Sequence, residues 1–124
     1  MNNQQNLNEI TKFFFTIQIN LKLYHWNTNS YPRHKASDDL GGSLLPLIDK
    51  FVEVFIGKYK VKPILTSIKI SPAYITDEGA ESMLIHAKNY LEGLPSKINA
   101  PELLNIKDEL LGAIENTLYL YQLK

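Results

Sequence analysis

Four stretches of this chain repeat apolar residues at steps of three and four, the period of a helix with one buried face. The first covers about 7–28, where Leu7, Ile10, Phe14, Ile17, Leu21 and Tyr24 form one ladder. The second covers about 32–57, with Leu40, Leu44, Leu47, Phe51 and Phe55 on one stripe. The third covers about 77–92, through Ala80, Met83, Leu84, Ala87 and Leu91. The fourth covers about 100–123, through Leu103, Ile106, Leu110, Ile114, Thr117 and Tyr121. Such faces are stable only when packed on one another, so the expected fold is an all-α four-helix bundle. The connections within the first and second pairs are short, which makes each pair antiparallel. Residues 58–75 hold two prolines and mixed periodicity, so they form a long connection with at most one short helix or extended piece. A connection of that length can cross the whole bundle and leave the second and third helices parallel. Ferritin-like folds have one such crossover.

Local punctuation sets the expected ends. Pro32 suits a first helical turn, and Gly57 is a natural stop. Thr76 or Asp77 can cap the third helix, with Asp77, Glu78 and Glu81 near its positive end. In the fourth, Asn99 is expected as N-cap with Glu102 as its capping-box partner. No repeat or second domain is visible, and residues 1–124 read as one domain.

Thirteen basic and thirteen acidic residues cancel, and there is no cysteine. No global charge draws the chain to nucleic acid or an anionic membrane, and thiolate chemistry is excluded. The N-terminus reads as neither a signal peptide nor a membrane span, so a cytoplasmic protein is expected. No lysine-rich arm is present to contact phosphates, so DNA binding is not expected.

The second stretch poses a problem. "HKASDDLGGSLLPLIDKFVE" (34–53) places Gly41, Gly42 and Pro46 inside a helix, where Gly costs about 1 kcal/mol against Ala and Pro about 3. It also carries a second stripe: Asp38, Gly42, Leu45, Asp49, Val52, Glu53 and Ile56. A solvated acidic face is the plain reading of either acid pair alone, but apolar residues interleave with these acids. The helix is therefore expected to be covered on two sides. Imidazole and carboxylate side chains can hold a metal ion, and His34, Asp38, Asp49 and Glu53 carry them. Yet residues 34 and 49 lie about 22 Å apart along one helix at 1.5 Å per residue. If they share an ion, they do so across a two-fold axis, with residue i facing residue 83 − i of a second copy. The crossing then falls between Gly41 and Gly42, where missing side chains let two backbones approach. The alternative is a broken helix with a loop at 41–46. The Glu-x-x-His motif of ferritin sites is absent, because Lys22, Tyr31 and Met83 stand three residues before the histidines. His86 is expected to be structural or exposed.

"YHWN" (24–27), His34 with Asp38, "DKFVE" (49–53) and the ending "NTLYLYQLK" together resemble the Dps family of mini-ferritins. The resemblance implies a ferroxidase centre between two-fold-related subunits. His25, His34 and Asp38 would come from one chain and Asp49 and Glu53 from the other, with Trp26 beside the site. It implies oxidation of Fe(II) by hydrogen peroxide or dioxygen, and iron storage in a shell of up to twelve subunits. Zinc or another divalent metal could occupy the same ligands. The competing expectation is a ferritin-like bundle without metal, serving as a dimeric structural or interaction module.

Overall fold

A computed structural model describes residues 1–123. Four long helices, α1 (Asn3–Asn27), α2 (Tyr31–Tyr59), α3 (Asp77–Glu92) and α4 (Pro101–Leu120), share one core, and no strand occurs among the described residues. Every residue of the apolar ladders named above is buried except Leu47, which is half-buried; Ile48 is buried in addition.

The order of the helices in space follows from contacts at the two ends. At the end we call the top, Tyr24 near the close of α1 bonds Asp77 at the start of α3. There too, Ser37 near the start of α2 meets Tyr121 just beyond α4. At the bottom, Lys58 near the end of α2 pairs with Glu102 at the start of α4. Lys97, just past α3, pairs with Glu9 of α1. The chain thus runs up, down, down and up. The packed pairs are α1 with α2, α2 with α4, α4 with α3 and α3 with α1, and each is antiparallel.

Parallel α2 and α3 require the intervening chain to climb the bundle, and α1 supplies its rungs. Near the bottom, Gln4 donates to the Lys62 carbonyl and Asn8 Oδ1 accepts from the Ile64 N–H. Higher up, the fully buried Asn20 donates to the Lys69 carbonyl and accepts from the Ser71 N–H. These bonds satisfy backbone groups that no helix or sheet would pair. The crossover ends in one short 3-10 turn, η1 (Pro72–Ile75), directly ahead of α3.

Three helix ends differ from expectation. Gly57 does not stop α2, which continues to Tyr59 while the Tyr59 ring packs 4.8 Å from Phe55. The left-handed position falls instead on Lys60, at φ 56° and ψ 41°, which costs about 1–2 kcal/mol in a residue with a Cβ. Asn99 does not cap α4; Ala100 is the N-cap and makes no side-chain bond. The cause is Pro101, which disfavours helical backbone in the residue before it; Ala100 takes ψ 119° and the boundary shifts past Asn99. At the other terminus α1 starts four residues early, because Asn2 and Gln5 form a reciprocal capping box.

Helix α2 is unbroken. Pro46 lies within it, exposed. A Cβ on Gly41 or Gly42 would meet nothing within 4 Å, so no neighbour within this chain requires glycine at either position.

Candidate metal centre

The short turn between α1 and α2 brings His25 and His34 face to face. Their rings stack at 3.9 Å with 16° between planes. The Nδ1 of His25 lies 2.9 Å from the His34 carbonyl, and the Nδ1 of His34 lies 2.7 Å from the His25 carbonyl. A carbonyl can only accept, so each Nδ1 carries the proton. In the neutral rings both Nε2 atoms therefore hold a free lone pair. Ligating histidines are commonly oriented in this way by a bond from the other ring nitrogen. Asp38 Oδ1 lies 3.9 Å from His25 Nε2 and also 3.9 Å from Lys22 Nζ.

Asp49 and Glu53 sit further down α2, exposed and one turn apart. Among the described residues neither forms an ion pair. At 1.5 Å per residue they remain about 22 Å and 28 Å from His34 along the helix. The fold brings His25, His34 and Asp38 to one end and leaves the acid pair elsewhere. Among the described residues no group of three or more histidines and carboxylates is disposed to hold a metal ion. His86 is exposed on α3.

An open apolar groove of about 1110 Å³ runs between α1 and α2, lined by residues including Phe15, Ile19, His25, Trp26, Asp38 and Leu45. Gly41 and Gly42 lie along it. A second hollow of about 350 Å³ continues it downward, walled by Asp49, Val52, Pro63 and Leu65 among others.

The residue that holds the top of the bundle together escaped the sequence reading. Arg33, the chain's one arginine, spreads its donors across three other elements. Nη1 reaches the Tyr24 hydroxyl at 3.3 Å and the Asp77 carbonyl at 3.0 Å. Nη2 reaches Glu81 Oε2 at 3.4 Å and the Tyr121 carbonyl at 3.2 Å, and the guanidinium lies 4.7 Å over the Tyr121 ring. A fork of five fixed donors can serve so many acceptors; a lysine cannot. Arg33 immediately precedes His34, so this clamp fixes the start of α2 and with it the imidazole pair. The one signal in the sequence was a lone arginine in a lysine-rich set.

Tyr24 also donates to Asp77 Oδ1 at 2.6 Å, and Thr28 to the same oxygen at 2.9 Å. The bond from Tyr24 holds the Asp77 carboxyl below the usual carboxylate range; burial opposes it, and the bond from Thr28 and the charge of Arg33 add lesser downward effects. A depressed folded-state pKa contributes stability above the unfolded value, near 3.9, and loses it as pH falls through the folded value. Tyr24→Phe removes the largest contributor. It is expected to cost about 1 kcal/mol at neutral pH, as for one hydrogen bond to a partly solvated charge. The difference from the native chain should narrow in acid, below the ordinary carboxylate range, as Asp77 protonates. Urea unfolding at neutral pH and in acid checks both statements.

The architecture and this end of it define the class first: an all-helical bundle with two aligned imidazoles beside an apolar groove. The chain belongs to a family of unknown function (DUF5856), whose model matches residues 25–121. The match begins at His25 and ends at Tyr121, and so includes the histidine pair, Arg33, Asp38 and the Asp49–Glu53 pair. No curated protein and no solved structure matches the chain.

Proposed function

We propose that this protein is a ferritin-like bundle that binds and oxidises Fe(II) at a centre shared by two copies, in the manner of a mini-ferritin. His25, His34 and Asp38 of one chain and Asp49 and Glu53 of the other are the ligands. The observation that carries the reading is the reciprocal Nδ1–carbonyl bonding of the two histidines. It orients both rings and leaves each Nε2 available, a preparation for ligation that a purely structural stack does not need. Three further features support it. The up, down, down, up order with one long crossover is the arrangement of ferritin-like folds. The acids lie on the α2 face that also carries Gly42 and Leu45. Finally, the two glycines at the expected crossing are unexplained by the isolated chain.

Iron is here the substrate. Imidazoles and carboxylates together accept Fe(II), and the anionic oxygens favour Fe(III) once it forms. Two Fe(II) ions give one electron each to a peroxide, which takes two protons and leaves as two waters; dioxygen is the alternative acceptor. Storage of the ferric product and oxidative protection follow if the dimers assemble further, toward a dodecamer.

One observation favours a second reading, a dimeric module without metal. Lys22 Nζ stands beside Asp38 and places a fixed cation next to a proposed ligand.

Initial rates of Fe(II) oxidation with peroxide separate the two. The native chain is expected to exceed the buffer rate. Asp49→Asn and Glu53→Gln, which keep shape but remove charge, are each expected to cut that excess at least about tenfold. His86→Ala is expected to leave it unchanged. A native chain no faster than buffer sinks the metal reading and leaves the module.

A further inference from the structure

The neutral net charge conceals one uneven stretch. No acid occurs between Glu53 and Asp77, while Lys58, Lys60, Lys62 and Lys69 all fall there. Lys58 pairs with Glu102. Among the described residues the other three form no ion pair. Nor does Lys12, which is exposed on α1 between the two places where that helix holds the crossover. Ile64 and Ile70 of the crossover are exposed as well, at 68% and 57%.

The backbone of the crossover has one edge in use and one edge bare. Helix α1 grips it twice, each time through the carbonyl of one residue and the N–H of the next but one: Lys62 with Ile64, then Lys69 with Ser71. Asn8 and Asn20 lie about 18 Å apart along α1. The chain from Ile64 to Ser71 covers that distance at about 2.6 Å per residue, nearer the strand value of about 3.3 Å than the helical 1.5 Å. A bend at Thr66 accounts for the shortfall, and Ser71 is extended at φ −133° and ψ 129°. In an extended chain, neighbouring residues direct their N–H and C=O to opposite edges. With Lys69 and Ser71 turned to Asn20, the N–H and C=O groups of Ile68 and Ile70 fall on the other edge. None of these four groups has a partner among the described residues.

We infer that this bare edge docks an acidic, extended peptide segment of another protein. The segment adds to residues 67–70 by main-chain pairing, and its carboxylates meet Lys12, Lys62 and Lys69. Charge selects the occupant. The crossover of a second copy would set lysine against lysine, and lysines on an open edge are a common bar to such self-pairing. An acidic strand meets no such bar. Apolar residues alternating with its acids would cover Ile70, which water now reaches. A nucleic acid fits less well, because phosphate oxygens only accept and would leave the carbonyls of Ile68 and Ile70 unpaired. The surface uses none of the proposed metal ligands, so its test and that of iron oxidation fail separately.

The probe is a fluorescein-labelled octapeptide of alternating Glu and Val, titrated with the full chain and read by anisotropy. A dissociation constant below about 1 mM is expected. Amide exchange with water is then followed residue by residue by NMR. With peptide at ten times its dissociation constant, exchange at Ile68 and Ile70 is expected to slow about tenfold. Exchange at Lys69, between them and on the other edge, is expected to stay as it was. Diffuse attraction of charges does not produce that alternation. The same peptide methylated at every backbone nitrogen keeps its charge and loses its donors, and is expected to bind at least about tenfold more weakly. Lys69→Glu is expected to weaken binding several-fold with helical circular dichroism unchanged. Should that variant misfold, the peptide pair decides on the native chain alone. No binding at about 1 mM overturns the inference, as does equal slowing at all three amides or undiminished binding of the methylated peptide. Tighter binding of an oligothymidylate of equal charge, or of phosphatidylserine vesicles, overturns it too.

Discussion

A His34→Ala chain and an Asp49→Asn chain, each nearly inactive alone, are expected to regain iron oxidation when mixed and allowed to exchange. In the proposed centre every site takes His34 from one subunit and Asp49 from the other. A heterodimer therefore has one site with both defects and one with neither. Random exchange of equal amounts makes half the dimers heterodimers, and half their sites are intact. Activity should return to about a quarter of the native value for an isologous pair. A centre built within one chain gives no recovery, because every chain still carries a broken site. Mass spectrometry of the mixture confirms exchange. Parental activity after confirmed exchange would remove the shared centre and leave only the bundle.

Much of the architecture was legible because it depends on local period. Every member of the apolar ladder of α1, from Leu7 to Tyr24, is buried, since a heptad step puts them all on one side of the cylinder. The same holds for α3 and α4. The placement of the crossover was legible from length alone: a segment with two prolines and no period cannot itself be a long helix. Of the candidate ligands, the proximity of His25 to His34 follows from a short turn between antiparallel helices.

What was not legible depends on residues distant in the chain. Arg33 reads as an ordinary surface cation until Tyr24, Asp77, Glu81 and Tyr121 converge on it, and the last of these lies 88 residues away. Asn20 sits inside an apolar ladder like a flaw, yet its amide holds the crossover 49 and 51 residues further on. The start of α4 lies one residue past the cap that the capping pattern alone predicts, because Pro101 restricts the backbone of Ala100. The glycines show the same division. Gly41, Gly42 and Gly79 look alike in the sequence, but the space around them differs completely.

Gly79→Ala is expected to destabilise the protein by about 2–3 kcal/mol, the upper part of the range for overpacking. The sign is informative, because Gly→Ala within a helix ordinarily stabilises by about 1 kcal/mol. Gly79 lies in the first turn of α3, where its N–H takes the Thr76 cap. A Cβ there would collide with the Ala73 carbonyl oxygen and stand 2.7 Å from its carbon. Both atoms are backbone of η1, so no side-chain rotation relieves the collision; the turn itself must move. That turn delivers Asp77 to Tyr24 and Arg33, so displacement also loosens the clamp that precedes His34. Gly112→Ala on α4, where a Cβ meets nothing within 4 Å, is the control and is expected to stabilise by up to about 1 kcal/mol. Gly42→Ala has equally open surroundings in the single chain. It should stabilise the monomer by a similar amount while weakening the dimer if two α2 helices cross there. Urea midpoints at unchanged slope, measured at two protein concentrations, separate the three cases. A Gly79→Ala chain as stable as the native one would show that η1 yields freely and does not brace the start of α3.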